Sequence, residues 1–215
     1  MVKMGDADAF VSGLTHEYPE VIRPALEIHH TAKGVRRAAS VYIMIVDEKV
    51  YIFGDATVNI DPSAEDLSEI AILAADFAEK LGLNPRVAML SFSNFGGTPH
   101  PKSVKISKAV KIVKDKRPDL IVDGEMQADT AVVSEIIEER YPFSTVKDAN
   151  VLIFPSLEAA NISYKLLDRL GNAQAIGPIL LGVGAPIHVL QTGDDVTDIV
   201  NIAAVAVMDA GSRAK

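Results

Sequence analysis

An α/β fold is what this sequence predicts. Short apolar, strand-like runs alternate with amphipathic stretches along all 215 residues, the mark of strands and helices laid down in turn. Apolar residues make up 48% of the chain, enough for a sizeable core. Several of the apolar runs end in small or polar residues just before a helical pattern, and in such sheets ligands collect beyond the carboxyl ends of the strands.

Taken in order, Ala7 to Val11 reads as a short strand running into Ser12-Gly13. Glu20 to His29 reads as a helix, with Pro24 early enough to be tolerated. Val41–Val46 and Val50–Phe53 form a hairpin around Asp47-Glu48-Lys49. Ser63 to Leu81 is the clearest helix: Ser63 caps it, Asp66 answers three residues later, and Leu67, Ile70, Ala71, Ala74 and Ala78 keep helical spacing. Val87–Phe92 is a buried strand, and 102–116 a helix with Val104, Ile106, Val110 and Ile112 inside. A short strand follows at 120–122, a helix at 129–140, a strand at 151–154 and a helix at 157–170. Strands at 178–181 and 187–190 and a helix at 195–208 complete the pattern.

Charge and composition exclude several classes of function. The formal net charge of -8 disfavours nucleic acid and anionic membrane surfaces as partners, though a local basic pocket can still take a small anion. With no cysteine, disulfides, thiolate metal sites and a cysteine nucleophile are excluded. No apolar run reaches membrane-spanning length, and MVKMGDADAF is not a signal peptide, so a cytoplasmic location is expected. The five histidines (16, 29, 30, 100 and 188) show no metal-ligand spacing, and no metal is expected.

Four segments carry groups suited to chemistry. Ser12-Gly13-Leu14-Thr15 offers hydroxyls and backbone N–H groups to a phosphate or acyl oxygen, or is a plain turn. Ser91 to Thr98 is either a phosphate cradle or a polar turn, and lacks the lysine of a Walker loop. Asp123-Gly124-Glu125 puts two carboxylates at a strand tip, for acid–base or metal chemistry or for structure alone. Gln191 to Asp198 links a strand to the last helix, where Thr192 or Asp194 suits a cap and Asp195 and Asp198 suit the first turn.

Read together, these segments resemble the phosphate acetyl/butyryl transferase (phosphotransacetylase) family. The resemblance rests on ADAFVSG at 7–13, RPAL at 23–26, RVAMLSFSNFG at 86–96 and RPDLIVDGEMQAD at 117–129. NVLIFPSLEAANISYKLLDRL at 150–170, AIGPILLGVGAPIHVL at 175–190 and DIVNIAAVAVMDA at 198–210 continue it in the same order. It implies a two-lobed α/β three-layer sandwich, like that of isocitrate and isopropylmalate dehydrogenases, with an incomplete first lobe. Residues 1–27 and 181–215 would be remnants of that lobe and 28–180 the second. It also implies a homo-oligomer, a dimer or higher, with coenzyme A or acetyl-CoA in the cleft as ligand. Ser12, Gly13, Thr15, Arg23, Thr192 and Gly193 are the ligand-binding positions the resemblance singles out, and Asp198 is the catalytic base.

One departure shapes the expectation. Catalytic members carry Ser-Arg-Gly where this chain has Gln191-Thr192-Gly193. A neutral threonine cannot replace a fixed cation, and losing such a clamp costs on the order of 10²–10³ in rate. Asp198 would then be vestigial. The stretches at 50–78, 91–101 and 123–132 also resemble the C-terminal region of large NADP-dependent malic enzymes. The leading expectation is therefore a catalytically degenerate acyl-CoA-binding domain that gives a malic enzyme allosteric regulation and helps it oligomerise. The alternative is an active phosphate acetyltransferase. A third reading is a ligand-free scaffold whose apolar segments at 187–190 and 199–207 form a dimer interface.

Overall fold

Local signals set most of the elements. Phe10–Ser12 (β1) and Tyr18–His29 (α1) follow a turn of 3₁₀ helix, and Ala39–Val46 (β2) and Lys49–Gly54 (β3) form the hairpin. Asp47 and Glu48 alone make its loop, both at positive φ, as a two-residue turn matched to strand twist requires. Ala64–Lys80 (α2) starts with the capping box expected: Ser63 Oγ accepts from the Asp66 N–H, and Asp66 accepts from the Ser63 N–H. The chain continues through Arg86–Leu90 (β4), Pro101–Lys116 (α3), Ile121–Met126 (β5), Ala128–Val132 (α4) and Ser134–Arg140 (α5). Val151–Ile153 (β6), Leu157–Leu170 (α6), Gln174–Leu181 (β7), Ile187–Val189 (β8) and Val196–Arg213 (α7) complete the computed structural model, which describes residues 1–213.

Six strands form one mixed sheet in the order β5-β4-β6-β3-β2-β7, and β1 pairs in parallel with β8 as a separate two-stranded sheet. The strands β3, β6, β4 and β5 run parallel, while β2 is antiparallel to both neighbours. Alternation along β2 sorts its side chains onto two cores. Val41 and Ile43 join α2 and α3 on one face; Tyr42 and Met44 join Ala131 of α4, Ile137 of α5 and Ala160 of α6 on the other. Helices therefore cover both faces of the large sheet, giving a three-layer α/β arrangement. A third cluster packs α1 against β8.

Several boundaries differ from the sequence expectation. The first strand starts at Phe10 and not Ala7. The helix expected over 129–140 breaks at Val133, whose extended backbone separates α4 from α5. Strand β7 begins four residues early, at Gln174, because residues 174–176 keep pairing with β2 beyond a register shift. Strand β5 runs on to Met126, so Asp123 and Glu125 lie within it and not at its tip. Val104 is 56% exposed on α3, and the helix packs through Ile106, Ala109, Val110 and Val113. Of the apolar residues read as a dimer surface, Ile187, Val189, Leu190, Ile202 and Val205 are buried in the chain's own core, while Val200 and Val207 of α7 are exposed.

Two buried polar networks hold the fold. Asp55, 2% exposed, accepts hydrogen bonds from Ser40 Oγ, from the Thr57, Val58 and Asn59 N–H groups, and from Asn59 Nδ2. Asp209 on α7 meets Lys80 of α2 and Arg213, each at 3.1 Å, and lies 3.7 Å from buried His188 on β8. Burial pushes the His188 imidazole down to about 4, more than the Asp209 charge raises it, so at neutral pH that contact is not an ion pair. The unfolded chain takes up this proton near the ordinary histidine value and the folded chain resists it. This contribution to stability is then fully present above about pH 6.5 and is lost progressively as pH drops toward 4. Chemical denaturation of His188→Gln at pH 7 and pH 5 should show a smaller fall than the native chain.

Candidate functional site

Strands β1 and β8 run parallel, so both carboxyl ends point to one place. There the Leu190 N–H donates to the Ser12 carbonyl at 2.8 Å, which seats the turn at 191–194 beside Gly13. The turn closes on itself: Asp194 Oδ2 accepts from the Gln191 N–H at 2.7 Å. Helix α7 then starts with a reciprocal cap. Asp195 Oδ1 accepts from the Thr197 and Asp198 N–H groups, and Asp198 Oδ2 accepts from the Asp195 N–H at 3.0 Å.

This turn and the start of α7 line a polar hollow of about 430 Å³, contributing Gln191, Thr192, Gly193 and Asp194, and Asp198, respectively. Helix α6 lines it through Tyr164, Lys165, Asp168 and Arg169, with Tyr42 and Gly177 at the base. Both cations of the hollow lie on α6, where Arg169 sits 3.2 Å from Asp168. Asp194 and Asp198 join Asp168 as the carboxylates of the hollow. Burial, with the charges of Asp198 and Asp195, raises the Asp194 carboxyl above the usual carboxylate range, against the hydrogen bond from Gln191.

Of the residues singled out in the sequence, Thr192, Gly193 and Asp198 share this hollow. Gly13 packs directly on Leu190, one residue before the turn. Ser12 instead lines an apolar hollow of about 570 Å³ between the first residues and α1. Arg23 lines a third, beside Tyr18 and Thr57, and the Thr15 N–H donates to the Gly13 carbonyl. Lys165, Arg169, Tyr42 and Tyr164 were missed. The four-residue spacing of Lys165 and Arg169 puts them on one helical face, a signal the sequence offered; the two tyrosines are 122 residues apart and gave none.

The other two candidate segments resolve as structure. Loop 91–98 wraps a carboxylate of the chain itself: Glu125 accepts from Ser93 Oγ and the Gly96 N–H, and Ser93 Oγ accepts from the Thr98 N–H. These bonds turn the Ser93 hydroxyl and the Gly96 and Thr98 N–H groups inward. Asp123 is bound by Lys114, Ser144 Oγ and the Thr145 N–H. Among the described residues no group of histidine, aspartate and glutamate side chains is placed to hold a metal ion, and no helix is long and apolar enough to cross a membrane.

The family model for phosphate acetyl/butaryl transferase matches residues 1–207. A phosphate acetyltransferase of Bacillus subtilis is 45% identical over 211 residues, 98% of this chain and 65% of its own length. One from Thermoanaerobacterium thermosaccharolyticum is also 45% identical, over 98% of this chain and 66% of its own. The crystal structure of a phosphotransacetylase from Streptococcus pyogenes superimposes with a TM-score of 0.94 at 40% identity, covering 98% of this chain and 65% of that one. The chain thus spans about 65% of the length of the curated relatives it matches. These relatives correct the expectation of a degenerate regulatory domain of a malic enzyme: proteins 45% identical over nearly the whole chain are named phosphate acetyltransferase. The chain belongs to the phosphate acetyl/butaryl transferase family.

Proposed function

We propose that this chain carries the reaction site of a phosphate acetyltransferase, moving an acetyl group between coenzyme A and phosphate. The observation that carries the reading is the polar hollow, which gathers Lys165 and Arg169 of α6 with Thr192, Gly193 and Asp198. Thr192 stands where the resemblance places a fixed cation, but two cationic side chains, Lys165 and Arg169, line the same hollow. On this reading they answer the negative charge of the phosphate groups. The segments 1–27 and 181–215, which supply β1, β8 and α7, are read as one lobe, and 28–180 as the other.

The step this arrangement supports runs as follows. Asp198 takes the proton of the coenzyme A thiol, and the sulfur attacks the acetyl carbonyl carbon of acetyl phosphate. The carbon–sulfur bond forms, the carbon–oxygen bond to phosphorus breaks, and phosphate leaves with the bonding pair. Asp198 keeps one carboxylate oxygen outside its cap, since only Oδ2 accepts from Asp195. The Thr192 hydroxyl and the Gly193 backbone lie alongside as neutral donors.

A coupled assay tests the reading. Acetyl-CoA and phosphate should release coenzyme A thiol and yield acetyl phosphate at a rate proportional to protein. Absence of phosphate-dependent thiol release under saturating substrates would remove the proposal.

A further inference from the structure

The base of the hollow holds a chain of hydrogen bonds whose direction can be worked out. Gln191 Nε2 lies 2.8 Å from Tyr42 Oη and 3.3 Å from the Gly177 carbonyl oxygen. A carbonyl only accepts, so the amide must turn its NH₂ group to this side, and Tyr42 Oη receives an N–H. The Tyr42 proton must then go elsewhere, and Tyr164 Oη stands 3.1 Å away. Tyr164 Oη therefore accepts, and its own proton has no acceptor among the described residues.

The rings fix this geometry. Tyr42 and Tyr164 stack with centroids 4.0 Å apart and planes 20° from parallel. On its other side Tyr42 lies against Gly177, where a Cβ would come within 2.8 Å of the ring. Only glycine allows that approach, and its φ of 151° also lies in the region glycine favours. Both tyrosines are buried, and burial raises both hydroxyls above the usual phenol range, so each keeps its proton. Asp168 and Asp194 add to this at Tyr164.

We infer that Tyr164 presents its hydroxyl proton to the ligand, as the donor to the carbonyl oxygen of the acyl group, and that Gln191 and Tyr42 are positioning residues that set its direction. Tyr164 lines the same hollow as Thr192 and Asp198, and a donor at the end of two others is polarised by them. This rests on the acyl-transfer reading above. It goes beyond that reading by assigning the acyl oxygen a partner and giving Gln191 a task.

Titration calorimetry of the intact chain with acetyl-CoA and with coenzyme A tests it, because only the former carries the carbonyl. Tyr164→Phe keeps the ring and should weaken acetyl-CoA roughly three- to tenfold while coenzyme A changes less than about twofold. Gln191→Glu replaces the donor by an acceptor, so Tyr42 would donate to residue 191 and Tyr164 to Tyr42. It should lower the ratio of the two affinities as Tyr164→Phe does, although the hydroxyl is intact; its added charge acts on both ligands alike. Melting temperatures verify that both variants fold, and either one alone carries the test. Equal losses for the two ligands, or none, would overturn the assignment of Tyr164 while leaving the acyl-transfer site standing. If the unaltered chain binds neither ligand, the site reading falls and this inference with it.

Discussion

Gly13→Ala should lower the melting temperature by about 6–12 °C, the shift for a loss of about 3 kcal/mol in a domain of this size. Gly13 has φ +140°, a region costly for any residue with a Cβ. A Cβ there would lie 2.8 Å from both the nitrogen and the carbonyl carbon of Leu190, and closer still to its oxygen. Those are backbone atoms at the end of β8, and they cannot swing aside as a flexible side chain would. The Ser12–Leu190 hydrogen bond would have to open, and with it the seat of the turn at 191–194. Gly211→Ala is the control: it lies in α7 with nothing within 4 Å of the added carbon, and should be neutral or slightly stabilising. Thermal unfolding followed by circular dichroism reads both. Equal melting temperatures for the two variants would mean that β1 and β8 do not hold the turn as described.

The sequence made the scaffold readable because the scaffold is built from local rules. Ser63 and Asp66 announced the start of α2, and Asp47-Glu48-Lys49 announced the hairpin, whose loop proves one residue shorter because Lys49 pairs with Val46. Leu157–Leu170 matched its expected bounds at both ends. What failed locally failed for tertiary reasons. The period of α3 suggested Val104 as an inward position, but the helix is rotated so that Ile106, Ala109, Val110 and Val113 pack. Residues 174–176 looked unremarkable alone and are strand only because β2 extends to meet them.

The site was readable in part. Thr192, Gly193 and Asp198 are contiguous, and a motif can point to them. The rest of the hollow comes from α6, and its base from β2 and β7, so assembling it needs the fold. From the motif alone Thr192 is a loss of charge; that Lys165 and Arg169 of α6 line the same hollow is visible only in the fold. Gln191, read as a second loss, holds the tyrosine pair.

The cations of the hollow and its Asp198 carboxylate should act on different kinetic constants. Lys165→Ala combined with Arg169→Ala should raise KM for coenzyme A by about 30- to 100-fold and leave kcat within a few-fold. Charge-assisted bonds to phosphate are worth about 1.5–3 kcal/mol each when sheltered, but Lys165 and Arg169 are both exposed and Arg169 is already beside Asp168, so together they are worth about 2–2.7 kcal/mol. The same exposure makes the loss shrink as salt rises, since salt screens in the native protein what the variant lacks. Asp198→Asn keeps the side-chain oxygen that caps α7 and removes the proton acceptor; it should lower kcat by about 10²–10⁴ with KM little changed. Steady-state kinetics at two salt concentrations separates the outcomes. If the double variant instead lowers kcat at unchanged KM, its cations act on the charge that develops during transfer and not on the bound coenzyme. If Asp198→Asn turns over normally, its carboxylate is a helix cap and no more, and the thiol proton leaves by another route, for which Asp194, already held closer to neutral pH by burial in the same hollow, is the next group to substitute.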